Sequence, residues 1–209
     1  MEKMEEYEAL RSTLLSLTAG SKVKAVAITG CTRKDGASTV AVGLAQVLAR
    51  EGTGGTLLVD TNLRYPILRS ASGVKNGKGL ADLILNGDNV CDIICETRVP
   101  HLSLITAGNL AGHSPSEVFA SATFTELVSF VREGFDYLIW DTPPVNVFGD
   151  ASTLARLMDG VVLVVRAGKT RWEAARKARD QLERADANVL GVVLNRRRYA
   201  IPRMIYDKL

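Results

Sequence analysis

Residues 30–39 form a glycine-bearing turn whose composition suits the binding of an anion. The run reads Gly-Cys-Thr-Arg-Lys-Asp-Gly-Ala-Ser-Thr; an apolar, β-branched stretch at 23–29 precedes it, and apolar residues at helical spacing follow it at 38–50. A turn that opens a helix presents backbone N–H groups to a phosphate, and a lysine in such loops adds charge against the outer phosphates. Ala37 stands at the lysine position. The sequence therefore predicts a phosphate-binding loop without its main cation.

Two other apolar runs end in an aspartate. Residues 56–60 end in Asp60, and residues 135–141 end in Asp141. Because the carboxyl ends of parallel strands meet at one edge of a sheet, we expect both carboxylates beside the loop, near the Ser38 hydroxyl. Oxygen ligands at such a place are what Mg²⁺ with a bound phosphate requires. Ser38, Asp60 and Asp141 are thus the predicted magnesium site.

Length and patterning predict one domain with a buried sheet. The chain has 209 residues, of which 46% are hydrophobic, and a formal net charge of +3. We expect a single α/β domain over 1–209, with a mostly parallel sheet flanked by helices on both faces. The expected strands are 23–29, 55–60, 102–106, 136–141, 160–166 and 188–194, and the expected long helices are 38–51, 121–133 and 170–186.

Cysteine usage and the lack of long apolar runs favour a cytoplasmic protein. No run reaches the roughly 18–20 apolar residues that span a bilayer, and no signal peptide precedes the first predicted helix. The three cysteines, Cys31, Cys91 and Cys95, lack metal-ligand neighbours and are expected to be reduced thiols. On a helix, Cys91 and Cys95 would share one face and pack in the core. Nothing in the sequence indicates a nucleic-acid partner.

Motifs in a fixed order cover nearly the whole chain. They are residues 5–11, the loop at 30–39, Asp60-x-Asn62-x-Arg64, residues 79–84, 107–108 and 114–117, residues 141–144 with Asp150 after them, residues 164–168 and residues 191–195. In this order and spacing the chain resembles the cytoplasmic domain of bacterial tyrosine autokinases of the capsule and exopolysaccharide type. That family belongs to the deviant Walker-loop ATPases, which also include chromosome- and division-site-positioning proteins.

The resemblance implies a function and a set of site residues. It implies a P-loop NTPase-like fold, ATP or ADP with Mg²⁺ as cofactor, and transfer of phosphate to tyrosine, with Asp60 and Arg64 as catalytic residues. The implied nucleotide-binding residues are Gly30, Lys34, Asp35, Gly36, Ala37, Ser38, Thr39 and Asn195. The implied partner is a membrane polysaccharide co-polymerase, or chain-length regulator, at the inner face of the plasma membrane. Tyr199 and Tyr206 are the candidates for autophosphorylation.

Three residues depart from the family pattern. Ala37 replaces the loop lysine, Asn62 replaces a second aspartate, and Glu8 replaces an arginine of the oligomerisation motif. A charge-assisted hydrogen bond contributes roughly 1.5–3 kcal/mol, so the lost lysine predicts phosphate binding about 10- to 150-fold weaker. We therefore expect weakened or absent kinase activity.

Two other functions stay open. Arg33 or Lys34 could supply the cation in an active tyrosine kinase, or both could be solvated loop charges. A positioning-type ATPase is the third class, but such proteins usually carry a second lysine where this chain has Thr32.

The two ends of the chain differ in charge. In the predicted helix at 1–20, Tyr7, Leu10, Leu14 and Leu17 form an apolar seam that could pack on the chain's own core or on a second copy in a homo-oligomer. The tail at 196–209 carries five Lys or Arg against one Asp. Its basic residues could contact an anionic membrane surface, or the tail could be a solvated cap on the sheet.

Overall fold

The structure is a computed structural model that describes residues 2–17, 24–51, 55–74 and 77–197. The predicted autophosphorylation sites Tyr199 and Tyr206 lie outside the described residues, as does most of the basic tail. Its contact with a membrane surface therefore stays a prediction.

Nine helices and seven strands are assigned within the described ranges. In chain order they are α1 (Glu2–Leu17), β1 (Ala25–Gly30), α2 (Ala37–Glu51), β2 (Thr56–Asp60), α3 (Leu68–Ser72), α4 (Leu80–Asn86), α5 (Val90–Ile93), β3 (Ile94–Glu96), β4 (Leu102–Ile105), α6 (Pro115–Phe119), α7 (Ala122–Gly134), β5 (Tyr137–Asp141), α8 (Asp150–Arg156), β6 (Gly160–Arg166), α9 (Trp172–Arg184) and β7 (Val189–Asn195).

The strands form one sheet in the order β3-β4-β2-β5-β1-β6-β7. Every neighbouring pair is parallel except β3 with β4, which is antiparallel. Strands β1 and β2 in the middle of the sheet are buried over their whole length and mostly apolar, because both of their faces are covered. The predicted α/β class and mostly parallel sheet are confirmed.

Side chains that alternate along the strands feed two apolar clusters, one on each face of the sheet. In β1, Ala25 and Ala27 belong to the cluster that packs against α7, α8 and α9, and Val26 and Ile28 belong to the cluster under α2. Trp140 on β5 is fully buried in the first cluster and makes an edge-to-face contact with Phe124 of α7, with ring centroids 6.0 Å apart. The expected helices on both faces are therefore present.

Helix α1 packs on the chain's own core through most of its apolar seam. Leu14 is buried, and Tyr7 and Leu10 pack against the cluster under α2. The Tyr7 ring lies so close to Gly43 that a Cβ there would be 2.4 Å from a ring atom. Leu17, at the end of the seam, is 60% exposed. Three of the four seam residues therefore pack on the chain's own core, as the first of the two alternatives predicts, and Leu17 is the exception.

The sequence did not predict the short edge strand β3 or the five short helices, which are α3, α4, α5, α6 and α8. The motif at 79–84 overlaps α4. The expectation that Cys91 and Cys95 pack in the core was wrong. Helix α5 ends at Ile93, so Cys91 is exposed on that helix while Cys95 lies half-buried in β3. Within the described ranges, no helix combines the length and apolar character needed to cross a bilayer.

Candidate functional site

The loop between β1 and α2 is fixed in place by the buried carboxylate of Asp35. One of its oxygens accepts from the backbone N–H of Thr32 at 2.7 Å, and the other accepts from the Thr32 hydroxyl at 3.0 Å. The Thr170 hydroxyl, which follows β6, also donates to Asp35, at 2.7 Å. A buried carboxylate with several donors is a stable anchor. The loop is therefore anchored both to itself and to the end of a central strand.

The end of β7 closes the loop from the other side. The Asn195 side-chain amide donates to the backbone oxygen of Asp35 at 2.9 Å. Gly36, the next residue, has a φ of +96°, and a Cβ placed on it would lie 2.1 Å from the Asn195 nitrogen. Only glycine meets both conditions without strain. The observed partner of the Asn195 side chain is thus the loop itself, and its contact with a nucleotide stays a prediction.

Replacing Gly36 by alanine should lower the free energy of unfolding by about 1–3 kcal/mol, because the new Cβ meets Asn195 and the backbone keeps a positive φ. Gly134→Ala is the matched control, since a Cβ at this position would meet nothing within 4 Å. The substitution also replaces a flexible glycine at the end of α7. That variant should gain about 0.5–1 kcal/mol. Urea titration measures both. Equal stability of the two variants would show that the loop is not held as described.

The two predicted acidic residues lie side by side at the carboxyl edge of the sheet. Asp60 of β2 and Asp141 of β5 are paired in register. Asp60 accepts from the backbone N–H of Asn62 at 3.1 Å and of Leu68 at 3.2 Å. Burial raises the pKa of Asp60 to about 6, and backbone N–H groups, those of Leu68, Asn62 and Ile67, partly offset the rise. Asp60 is therefore close to half-protonated near pH 6.

Asp141 is fully buried, and neither of its carboxylate oxygens has a hydrogen-bond partner among the described residues. Burial, then the neighbouring charge of Asp60, raises the pKa of Asp141 well above its usual range. The Ser38 hydroxyl lies beside it and lowers the pKa somewhat, without the geometry of a full hydrogen bond. Buried polar atoms without hydrogen-bond partners are rare in native proteins. A cation bound beside Asp141 would provide a partner for its carboxylate oxygens.

These residues fit Mg²⁺ held mainly by a bound phosphate. Within the described ranges no group of three or more His, Cys, Asp and Glu side chains is arranged to hold a metal ion unaided. Mg²⁺ sites of phosphate-transferring proteins usually take one or two carboxylates, and waters and phosphate oxygens complete the shell. Ser38, Asp60 and Asp141 are the residues of this chain that would hold the ion. Their role stays a prediction.

A cleft of about 380 Å³ opens in front of the loop. Its lining includes Asn62, and Asn62 has a buried side-chain oxygen without a partner among the described residues. The predicted loop residues that line it are Gly30, Lys34, Asp35, Gly36, Ala37, Ser38 and Thr39. The wall is completed by Thr32, Arg33 and Asn62 and by five residues for which no binding role had been predicted: Tyr65, Ile67, Thr142, Pro144 and Arg196. Thr142 and Pro144 belong to the motif at 141–144.

The two basic residues of the loop are placed differently. The Arg33 guanidinium stacks over the Tyr65 ring, with its central carbon 3.5 Å from the ring centroid. Such a cation–π contact stabilises the arginine away from other partners. Lys34 is exposed, and its side chain forms no hydrogen bond or ion pair with another described residue. Of the two candidate substitutes for the missing lysine, Arg33 is therefore already engaged.

Arg64 points to a neighbouring carboxylate. Its guanidinium contacts Asp150, the first residue of α8, with both nitrogen–oxygen distances at 3.1 Å, and it lies over the Phe148 ring at 4.9 Å. Asp150 is largely buried and also accepts from the Ser116 hydroxyl at 3.1 Å. Arg64 thus joins the segments that follow β2 and β5, and its catalytic role stays a prediction.

Comparison with known proteins identifies the family. Tyrosine-protein kinase CpsD of Streptococcus agalactiae is 34% identical over 196 residues, which are 93% of this chain and 84% of that protein. Tyrosine-protein kinase YwqD of Bacillus subtilis is 32% identical over 191 residues, which are 91% of this chain and 80% of that one. The chain belongs to the bacterial tyrosine-protein kinases of the capsule and exopolysaccharide type. No protein-family model matches the sequence.

Solved structures of this kinase family superpose closely on the chain. The crystal structure of the chimerical protein CapA2B2 matches with a TM-score of 0.88 at 32% identity and covers 93% of this chain and 85% of that one. The kinase domain of the Escherichia coli tyrosine kinase ETK matches with a TM-score of 0.86 at 26% identity, over 95% of this chain and 78% of that one. A ParA family ATPase from Chlorobium tepidum, at 19% identity and a TM-score of 0.66, shares the fold. The capsule-type kinase resemblance and the P-loop fold are confirmed.

Proposed function

We propose that this member of the capsule-type kinases binds ATP or ADP with Mg²⁺ in the loop cleft, transfers phosphate weakly or not at all, and regulates a membrane polysaccharide chain-length protein. One observation carries the nucleotide part of the proposal. Asp141 is buried, neither of its carboxylate oxygens has a hydrogen-bond partner in the described part of the chain, and it lies in register with Asp60 at the edge of the sheet where the loop lies. Binding of a cation beside Asp141 would explain a group that is otherwise costly to the fold.

Different groups of the chain would bind the phosphates and the metal ion. Backbone N–H groups at the start of α2 would face the phosphates, because the helix dipole favours negative charge there. Ser38, Asp60 and Asp141 would hold Mg²⁺, which supplies positive charge against the phosphate oxygens when bound. Asp60 is also the candidate to accept the tyrosine proton. Without a bound metal, its pKa of about 6 already leaves the charged, accepting form in the majority at pH 7.

We expect weakened phosphoryl transfer because the loop lacks the positive charge of its usual lysine. Phosphoryl transfer depends chiefly on positioned positive charge, and position 37 supplies none. Asn62 keeps polarity but cannot offset cationic charge as a carboxylate would. An active kinase is the second candidate, because Arg33 and Lys34 both line the cleft. In that case Arg33 would have to leave the Tyr65 ring, or Lys34 would have to turn inward.

The regulatory part rests on the family. Relatives in this group are named as tyrosine-protein kinases, and the chimera is named CapA2B2. We infer a peripheral position at the inner face of the plasma membrane, and a homo-oligomer formed through surfaces other than the α1 seam. Co-purification of the intact chain with the chain-length protein of its own polysaccharide system tests the partnership. Failure to co-purify with or without ATP would contradict it.

Incubating the protein with Mg·ATP and measuring its intact mass tests the loss of activity. We expect no added phosphate, or a slow and incomplete gain, because the loop lacks its lysine. A full gain of phosphate that disappears when Tyr199 and Tyr206 are changed to phenylalanine would contradict the weakened state and favour the active kinase. Arg33→Ala and Lys34→Ala would then show which cation supports the reaction.

A further inference from the structure

The end of β7 brings a cation to the loop from outside the loop sequence. Arg196 follows Asn195 directly and lines the nucleotide cleft. We propose that Arg196 supplies to a bound polyphosphate part of the positive charge that Ala37 does not. This inference rests on the proposed binding of nucleotide, and it deepens that proposal by assigning a binding residue that lies 159 positions from the lysine position of the motif.

The geometry places the guanidinium of Arg196 against the turn that leads into α2. A Cβ on Gly36 would lie 3.9 Å from the Arg196 Nε, so the side chain runs directly beside the peptide that precedes Ala37. The first N–H groups of α2, which start at Ala37, are the ones expected to face a phosphate. A positive group at this place adds to the field of those N–H groups.

The backbone around Arg196 is built to hold this position. Arg196 has a φ of +56°, which is uncommon for a residue with a side chain. Its N–H donates to the Asn195 side-chain oxygen at 2.8 Å, while the nitrogen of the same amide donates to the Asp35 backbone oxygen at 2.9 Å. One side chain thus links the loop to the residue that follows β7. The position of Arg196 is therefore coupled to the loop itself.

The charge of Arg196 is also available. Among the described residues no carboxylate forms an ion pair with it, and its side chain is exposed at the rim of the cleft. Arg33, by contrast, lies over Tyr65 at 3.5 Å. A guanidinium suits phosphate because its N–H groups form paired hydrogen bonds with two oxygens. Of the two arginines that line the cleft, Arg196 can therefore bind an anion without breaking an ion pair or a ring contact with another described residue.

Calorimetric titration of the full chain with Mg·ATP and with inorganic tripolyphosphate tests the assignment. Arg196→Ala should weaken the binding of both by about 10- to 150-fold, because both present the same phosphates. Arg197→Ala is the matched control: it removes the same charge one residue further on, outside the cleft lining, and should change affinity less than about threefold. Arg196→Lys should retain part of the affinity, since it keeps the charge without the paired donors.

The outcomes separate this inference from the proposed function. If the wild-type chain binds Mg·ATP and Arg196→Ala binds it equally well, the assignment of Arg196 is wrong while nucleotide binding stands. If Arg196→Ala weakens ATP but leaves tripolyphosphate unchanged, Arg196 contacts the nucleoside and the assignment is again wrong. If the wild-type chain binds neither ligand, the proposed function and the inference both fail. Equal losses for Arg196→Ala and Arg197→Ala would indicate a general charge effect and would overturn the assignment.

Discussion

Asp141→Asn should make the nucleotide-free protein more stable at pH 7, while removing the Mg²⁺-dependent part of its affinity for ATP. The wild-type carboxyl is fully buried without hydrogen-bond partners among the described residues, and it lies beside Asp60. A neutral amide of nearly the same size avoids the cost of burying that charge. We expect a gain of about 1–3 kcal/mol in the free energy of unfolding, which is several degrees in Tm for a chain of this length.

The pH dependence has a definite sign. The pKa of Asp141 is raised in the folded protein, so the folded state binds the proton of this carboxyl more tightly than the unfolded state does. Protonation of Asp141 therefore contributes its full stabilisation at pH values below the ordinary pKa of an aspartate. That contribution is lost as the pH rises through the folded pKa. The advantage of Asp141→Asn over the wild type should therefore grow between about pH 4 and pH 7.

Asp150→Asn is the matched control for this change. Asp150 is also a largely buried aspartate at the carboxyl edge, but it is paired with Arg64 and accepts from Ser116. Removing its charge should lower Tm, because the arginine loses its partner. Thermal unfolding without nucleotide at pH 5 and pH 7 measures both variants. A loss of stability in Asp141→Asn that matches the loss in Asp150→Asn would mean that Asp141 has a partner in the fold and is not kept for a cation.

Ala37→Lys should tighten the binding of Mg·ATP by about 10- to 150-fold and increase the rate of autophosphorylation. Ala37 is the first residue of α2 and lines the cleft, so a long side chain there can reach the space in front of the loop. The charge would act in phosphoryl transfer as well as in binding, since positioned cations stabilise the transition state. Titration with ATP and intact-mass measurement after incubation give the two effects separately.

Ala37→Met is the control that separates charge from size. Its side chain is of similar length and fills the same space without a positive group, so it should leave the affinity unchanged or lower it. If lysine and methionine have the same effect, the loop is not directed at phosphate. Tighter binding without any gain in phosphate would assign the loss of activity to a second change, for which Asn62 is the candidate.

The sequence predicted the parts of the site that depend on local pattern. The strands that end in Asp60 and Asp141 are mostly apolar up to the final acid, and parallel pairing brings such ends to one edge. The loop at 30–39 was recognisable because glycines punctuate a strand-to-helix transition. The expected strand bounds differ from the observed ones by two residues or fewer, since continuous burial leaves a clear apolar run.

The features of the site that the sequence did not predict depend on contacts between residues far apart in the chain. Thr170 reaches Asp35 across 135 positions, and Asn195 reaches its backbone across 160. The stacking of Arg33 on Tyr65 and the position of Arg196 are also tertiary contacts without a local signal. Strand β3 has three residues, too few to show any period.

The affinity of the unmodified chain for ATP, measured with and without Mg²⁺, tests the central claim most directly. A triphosphate pocket that has lost its lysine but kept its acidic pair should bind ATP measurably, bind it more tightly with Mg²⁺ than without, and lose that difference in Asp141→Asn. Binding that is absent, or that is equal in the presence and absence of Mg²⁺, would contradict the claim.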